Sequence, residues 1–121
     1  MNLSKAEEQL MQYLWEHEGA FMKDLMQSYP DPKPATTTVA TLLKRMIDKG
    51  YVAYKVYGNS REYYALVSKK DYSTQQLQGF IKGFFNGSSS QFASFFAKNT
   101  DLTKEELEDL RSMIDKKIDE K

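Results

Sequence analysis

A chain of 121 residues, 40% apolar and 28% charged with a formal net charge of zero, has the composition of one globular domain or of one small domain with an appendage. With no cysteine and a single histidine, His17, it excludes disulfides, thiolate nucleophiles, cysteine-based zinc sites and a histidine-rich metal site within one chain. No apolar run is long enough to span a bilayer, and Lys5, Glu7 and Glu8 occupy the place where a signal peptide needs apolar residues, so a cytoplasmic protein without membrane insertion is expected.

The first predicted helix opens at Ser4, whose hydroxyl can cap the amide of Glu7 while the Glu7 carboxylate reaches back, a Ser-x-x-Glu capping box. Leu3, Leu10, Met11, Leu14 and Trp15 form its apolar face, which runs out before Gly19. A short second helix over 22–29 turns Leu25 and Met26 inward. Pro30, Pro32 and Pro34 cannot continue it, so they mark the loop that redirects the chain into a third helix.

That third helix begins near Thr36. Val39, Leu42, Leu43, Met46 and Ile47 recur at three- and four-residue steps on one stripe, leaving Thr37, Thr38, Thr41, Lys44, Arg45 and Asp48 at or beyond its edge. Gly50 supplies a left-handed stop. Strands over 51–56 and 61–66 then flank Gly58 and Asn59, with aromatic and β-branched residues suited to a pleat. Helix, helix, basic helix and hairpin is the order of a winged helix-turn-helix.

The zero net charge conceals a segregation along the chain. Before residue 35 the acids Glu7, Glu8, Glu16, Glu18, Asp24 and Asp31 outnumber Lys5, Lys23 and Lys33; over 35–68 Lys44, Arg45, Lys49, Lys55 and Arg61 face only Asp48 and Glu62. A solvated amphipathic helix beside a charged hairpin carries the same pattern, so charge alone leaves both readings open. A recognition helix reads base edges with residues near its start and holds its register through phosphates. Thr37, Thr38, Ala40 and Thr41 fit the first task through short hydroxyls and methyls; Lys44 and Arg45 fit the second, aided by Lys55 and Arg61 on the wing. Thr36 is equally placed to cap the helix, and one of Thr38 and Thr41 to pack inward. Tyr51, Tyr54, Tyr57, Tyr63 and Tyr64 are expected to cover a core rather than to stack on bases. No nucleophile is paired with a base, so neither an enzyme nor a cofactor is expected.

Beyond Ser68 the composition changes, and Phe80, Phe84, Phe85, Phe92, Phe95 and Phe96 crowd into predicted helices over 71–85 and 90–98. A last helix over 103–117 opens on a second capping box, Thr103 with Glu106. So small an appendage has too little interior for those rings, which are expected to bury against a second copy. Gly79 and Gly83 share one face of the first of these helices and fit either the close approach of a partner helix or a weakened helix. The expected architecture is mainly α with a small β-hairpin: a winged-helix domain over 1–68 and a helical dimerisation region over 69–121.

Ala6 to Trp15 follows the pattern A-E-x-x-[VIL]-M-x-x-L-W, Thr38 to Met46 is similar to the pattern T-V-x-T-L-L-x-R-L, with Met46 in the last place, and Lys49 to Val52 reads K-G-Y-V. With Tyr63 to Ser68 and Leu102 to Leu107 in support, the chain resembles the penicillinase repressor family, the BlaI/MecI/CopY group of bacterial transcriptional regulators, along nearly its whole length. The resemblance implies a homodimeric repressor on palindromic double-stranded operator DNA, relieved by proteolysis of its C-terminal region under a sensor protease. The cysteine cluster of the copper-responsive branch is missing, which excludes copper sensing. Pro32 to Thr37, leading into the third helix, also departs from the family pattern, so the operator sequence does not transfer. A winged helix that contacts only proteins is the alternative, and near-neutral charge suits it.

Overall fold

The computed structural model describes residues 3–121, with α1 (Lys5–Trp15), β1 (Ala20–Phe21), α2 (Met22–Ser28), α3 (Thr36–Asp48), β2 (Val52–Tyr57), β3 (Ser60–Ala65), α4 (Lys69–Phe85), α5 (Ser89–Asn99) and α6 (Lys104–Asp119). Local chemistry sets most of these limits. Ser4 Oγ accepts from the Glu7 amide at 3.2 Å and the Ser4 amide donates to Glu7 Oε1 at 2.8 Å, closing the capping box. At the far end of α3 the Tyr51 amide reaches Met46 O at 2.9 Å and the Gly50 amide reaches Ile47 O at 3.0 Å, with Gly50 at φ +84°. This is a Schellman motif, and glycine is there because the left-handed position excludes a Cβ at low cost.

A short strand that the sequence pattern does not reveal, β1, completes a three-stranded antiparallel sheet in the order β1-β3-β2, pairing Ala20 with Tyr63 and Phe21 with Glu62. Its two residues are too few to show an alternation, and its partner lies far along the chain. Between β2 and β3 the tight turn puts Gly58 at φ +59°, the first position of a two-residue hairpin loop, where glycine is favoured.

Contacts divide the chain into two compact units, one running through Gly79 and one over Phe80–Lys121. The first has a core of fully buried Leu10, Met11 and Leu14 from α1, Leu25 from α2, and Val39, Leu43 and Met46 from α3, closed by Val52 and Ala20. Each of the leucine, methionine and valine side chains contributes about 1.5–3 kcal/mol of hydrophobic stabilisation. The first turns of α4 belong to this unit because Tyr72, 5% exposed, joins the same core; the 68/69 boundary expected from composition falls before them.

In the second unit no residue of α5 or α6 is buried. Its phenylalanines touch one another, with ring centroids 4.9 Å apart for Phe80 and Phe84, 5.8 Å for Phe85 and Phe92 and 5.4 Å for Phe85 and Phe95. Even so Phe84 stays 75% exposed, and Leu107, Ile114 and Ile118 line α6 at helical spacing with 45–63% of their surface in solvent. A methyl group placed on Gly79 or Gly83 would meet nothing within 4 Å, so no neighbour among the described residues requires glycine at either position.

Candidate nucleic-acid interface

The buried stripe of α3 is Val39, Leu42, Leu43 and Met46, which turns the opposite face outward. Thr37, Thr38, Ala40, Thr41, Lys44 and Arg45 are all exposed there, so neither Thr38 nor Thr41 packs inward. The first turn holds no acid. Ala35, not Thr36, occupies the N-cap and offers no side-chain hydrogen bond, so the opening amides of the helix lack a side-chain acceptor. Thr41 Oγ1 donates to Thr37 O at 2.9 Å, and the exposed hydroxyl keeps the capacity to accept a hydrogen bond.

The wing carries the other two cations. Arg61 holds its guanidinium carbon 4.3 Å from the centroid of the Tyr54 ring, and Lys55 Nζ lies 5.8 Å from the centroid of Tyr64. Both cations are exposed, and resting on an aromatic face reduces the freedom that either would lose on meeting a phosphate. Burial among the hairpin tyrosines follows the strand rather than the face of the pleat, since Tyr63 on the central strand β3 stands opposite Tyr54 on the edge strand β2. Tyr51 and Tyr63 are buried as expected, whereas Tyr54 is 36% and Tyr57 53% exposed. An open groove of about 620 Å³ between the wing and the start of α2 is lined by Lys23, Asp24 and Arg61 among others and concentrates no single charge.

Lys49 does not belong to the outward basic set. Its Nζ lies 2.8 and 3.0 Å from the two carboxylate oxygens of Glu7, which is 3% exposed. The hydrogen bond from Lys49, then that from the Ser4 amide, hold the Glu7 carboxyl below its usual range against the opposing effect of burial. This pair ties the C-terminal end of α3 to the first turn of α1. The neighbouring Glu8 accepts from the Tyr72 hydroxyl at 2.6 Å, and burial first, then Glu8, pushes the Tyr72 hydroxyl up to about 12. Sequence reasoning missed Glu7, Lys49 and Tyr72 as positioning groups because each partner is 42 or more residues away. Among the described residues no cluster could hold a metal ion, and no helix is long and apolar enough to cross a membrane.

Comparison with known proteins agrees with this geometry. The family model described as penicillinase repressor matches residues 3–116. The methicillin resistance regulatory protein MecI of Staphylococcus aureus is 27% identical over 116 residues, covering 95% of this chain and 94% of that protein. The penicillinase repressor of Bacillus licheniformis is 24% identical over 114 residues, covering 93% and 89%. Among solved structures, the solution structure of the DNA-binding domain of the repressor BlaI superposes with a TM-score of 0.52 at 24% identity, over 59% of this chain and 88% of that domain. At that identity the likeness concerns the fold alone, and it identifies a winged helix-turn-helix. With a family model spanning almost every described residue, the chain belongs to the penicillinase repressor family.

Proposed function

We propose that the chain is a sequence-specific DNA-binding transcriptional repressor that acts as a homodimer and is relieved by proteolysis of its C-terminal unit. One observation carries the DNA-binding part: the outward face of α3 has an acid-free first turn, three exposed threonines and the exposed pair Lys44 and Arg45, with Lys55 and Arg61 presented by the wing. In a major groove the threonine hydroxyls and methyls would meet base edges, while Lys44 and Arg45 would meet phosphates and set the register. Family membership supports the repressor role.

Dimerisation is supported by the second unit, where Phe80, Phe84, Phe95 and Phe96 and the apolar stripe of α6 keep 36–75% of their surface in solvent among the described residues of one chain. Two such units in contact would remove those surfaces from water and present two recognition helices to a twofold-related site. A sensor protease that initiates cutting of this unit would separate the heads and abolish the gain from linkage, ~10²–10⁴ in binding. The Asn86–Ser88 connection is itself a hydrogen-bonded turn, with the Ser88 amide 2.8 Å from Phe85 O.

Two substitutions test the assignment. Arg45→Ala should weaken binding to every duplex and reduce the slope of affinity against salt by about one unit, whereas Thr41→Ala should mainly blur base preference. Equal effects of both on all sequences would contradict the division of roles, and an affinity independent of salt would favour a module that contacts only proteins.

A further inference from the structure

Of the cations Lys44, Arg45, Lys49, Lys55 and Arg61 that make residues 35–68 basic, a carboxylate takes only Lys49. Its Nζ lies 2.8 and 3.0 Å from the two oxygens of Glu7, the only ion pair among the described residues. Glu7 is also the one charged side chain buried there, 3% exposed, and it accepts from the Ser4 amide at 2.8 Å. Lys49 is the C-cap of α3 and keeps a helical backbone, φ −79° and ψ −9°. Its side chain therefore starts from the same flank of α3 as that of Arg45, four residues earlier. Arg45 is exposed and reaches no carboxylate among the described residues. The tie to α1 thus holds one cation of this flank against the body of the head and leaves the other free to meet a phosphate. All of these groups lie in the unit that runs through Gly79.

We propose that Glu7 is a positioning residue that withholds Lys49 from DNA and so limits the sequence-independent part of binding. The inference rests on the DNA-binding reading above and adds a determinant of specificity that touches no DNA. A cation on a phosphate raises affinity for every duplex alike and steepens the dependence on salt, without reading a base. To use Lys49 in that way, a phosphate would have to draw it off Glu7. The buried carboxylate would then keep its charge with only the Ser4 amide for company, a larger loss than one solvent-exposed phosphate contact returns. Neutralising Glu7 removes that barrier and frees the ammonium beside Arg45. A tie that serves structure alone predicts the opposite sign, because loosening the end of α3 weakens binding.

The experiment uses the full chain and a mixed-sequence duplex, with affinity read by fluorescence anisotropy between about 50 and 200 mM salt. The temperature is one at which circular dichroism shows each variant folded. In Glu7→Gln the slope of log affinity against log salt should steepen by ~0.9 for each bound head, and affinity at the low-salt end should rise ~3-fold or more. Adding Lys49→Gln to Glu7→Gln should return both quantities to wild-type values, and Lys49→Gln alone should leave them unchanged. A slope that stays steep in the double variant would trace the rise to the lost Glu7 charge and overturn the proposal. Unchanged or weaker binding by folded Glu7→Gln would assign the pair to structure alone and overturn it as well. Lys49→Gln decides even where Glu7→Gln does not fold: an equal slope supports the proposal, whereas one flatter by ~0.9 per head would show Lys49 already on DNA and refute it. A wild type that binds no duplex, or binds without salt dependence, would instead strike the DNA-binding reading on which the proposal rests.

Discussion

Replacing Glu7 by glutamine removes the charge from the joint between α1 and the end of α3 while keeping the shape of the side chain. Glu7 is 3% exposed and accepts from Lys49 Nζ at 2.8 and 3.0 Å and from the Ser4 amide at 2.8 Å. Breaking a fully buried ion pair costs about 3–5 kcal/mol. Here Lys49 keeps 35% of its side chain in solvent, so screening and an escape route for the ammonium reduce the loss. A destabilisation of about 2 kcal/mol follows, which for a domain of this size lowers the melting temperature by about 8–16 °C near neutral pH. The effect carries a pH signature. Folding lowers the Glu7 pKa from 4.5, chiefly through Lys49, so its stabilisation is complete above the unfolded value and is lost as pH falls through the folded one. The difference between wild type and Glu7→Gln should therefore close in acid, as measured by thermal unfolding followed by circular dichroism. A difference below about 0.5 kcal/mol at neutral pH, or one that persists unchanged into acid, would refute this account of the joint.

Further outcomes follow from the same contacts. Phe84→Ser with Phe95→Ser, at positions 75% and 49% exposed, should yield monomers with a folded head in sedimentation, and a wild-type monomer at micromolar concentration would reject the dimer. A chain ending at Phe85 should stay folded yet lose ~10²–10⁴ in operator affinity through loss of linkage; equal occupancy with the intact chain would reject relief by cleavage. Tyr29 has a buried hydroxyl without a hydrogen-bond partner among the described residues, so Tyr29→Phe should raise the urea midpoint by the equivalent of about 1 kcal/mol, and a fall would reveal an acceptor for that hydroxyl.

What the sequence reveals and what it hides divide by range along the chain. The boxes at Ser4 with Glu7 and at Thr103 with Glu106, the stripe of α3 and the stop at Gly50 are legible because each is a pattern within a few residues, and all appear in the structure. The exposed cations of α3 are legible for the same reason, whereas spacing leaves open whether Thr38 or Thr41 packs inward, and the structure exposes both. Lys49 is different: it reads as one more cation of the basic segment, yet its partner Glu7 is 42 residues away and turns it into a structural tie. Likewise β1 depends on a strand that arrives much later, and Tyr72 sits in a segment whose composition points to the second unit while its ring packs in the first. Tyr54 stays more exposed than Tyr63, its cross-strand partner, because β2 is the edge strand and β3 the central one, while Tyr57 stands at the turn; pattern alone does not reveal the third strand that makes β3 central.

The central claim is that α3 and the wing of each of two linked heads read a twofold-related DNA site. Selecting bound sequences from random duplex DNA with the full chain tests it most directly. The account predicts enrichment of an inverted repeat whose half-sites are lost from the selection when Thr41 and Arg45 are both changed to alanine. No enrichment over the starting pool, or enrichment of the same repeat by that double variant, would contradict it.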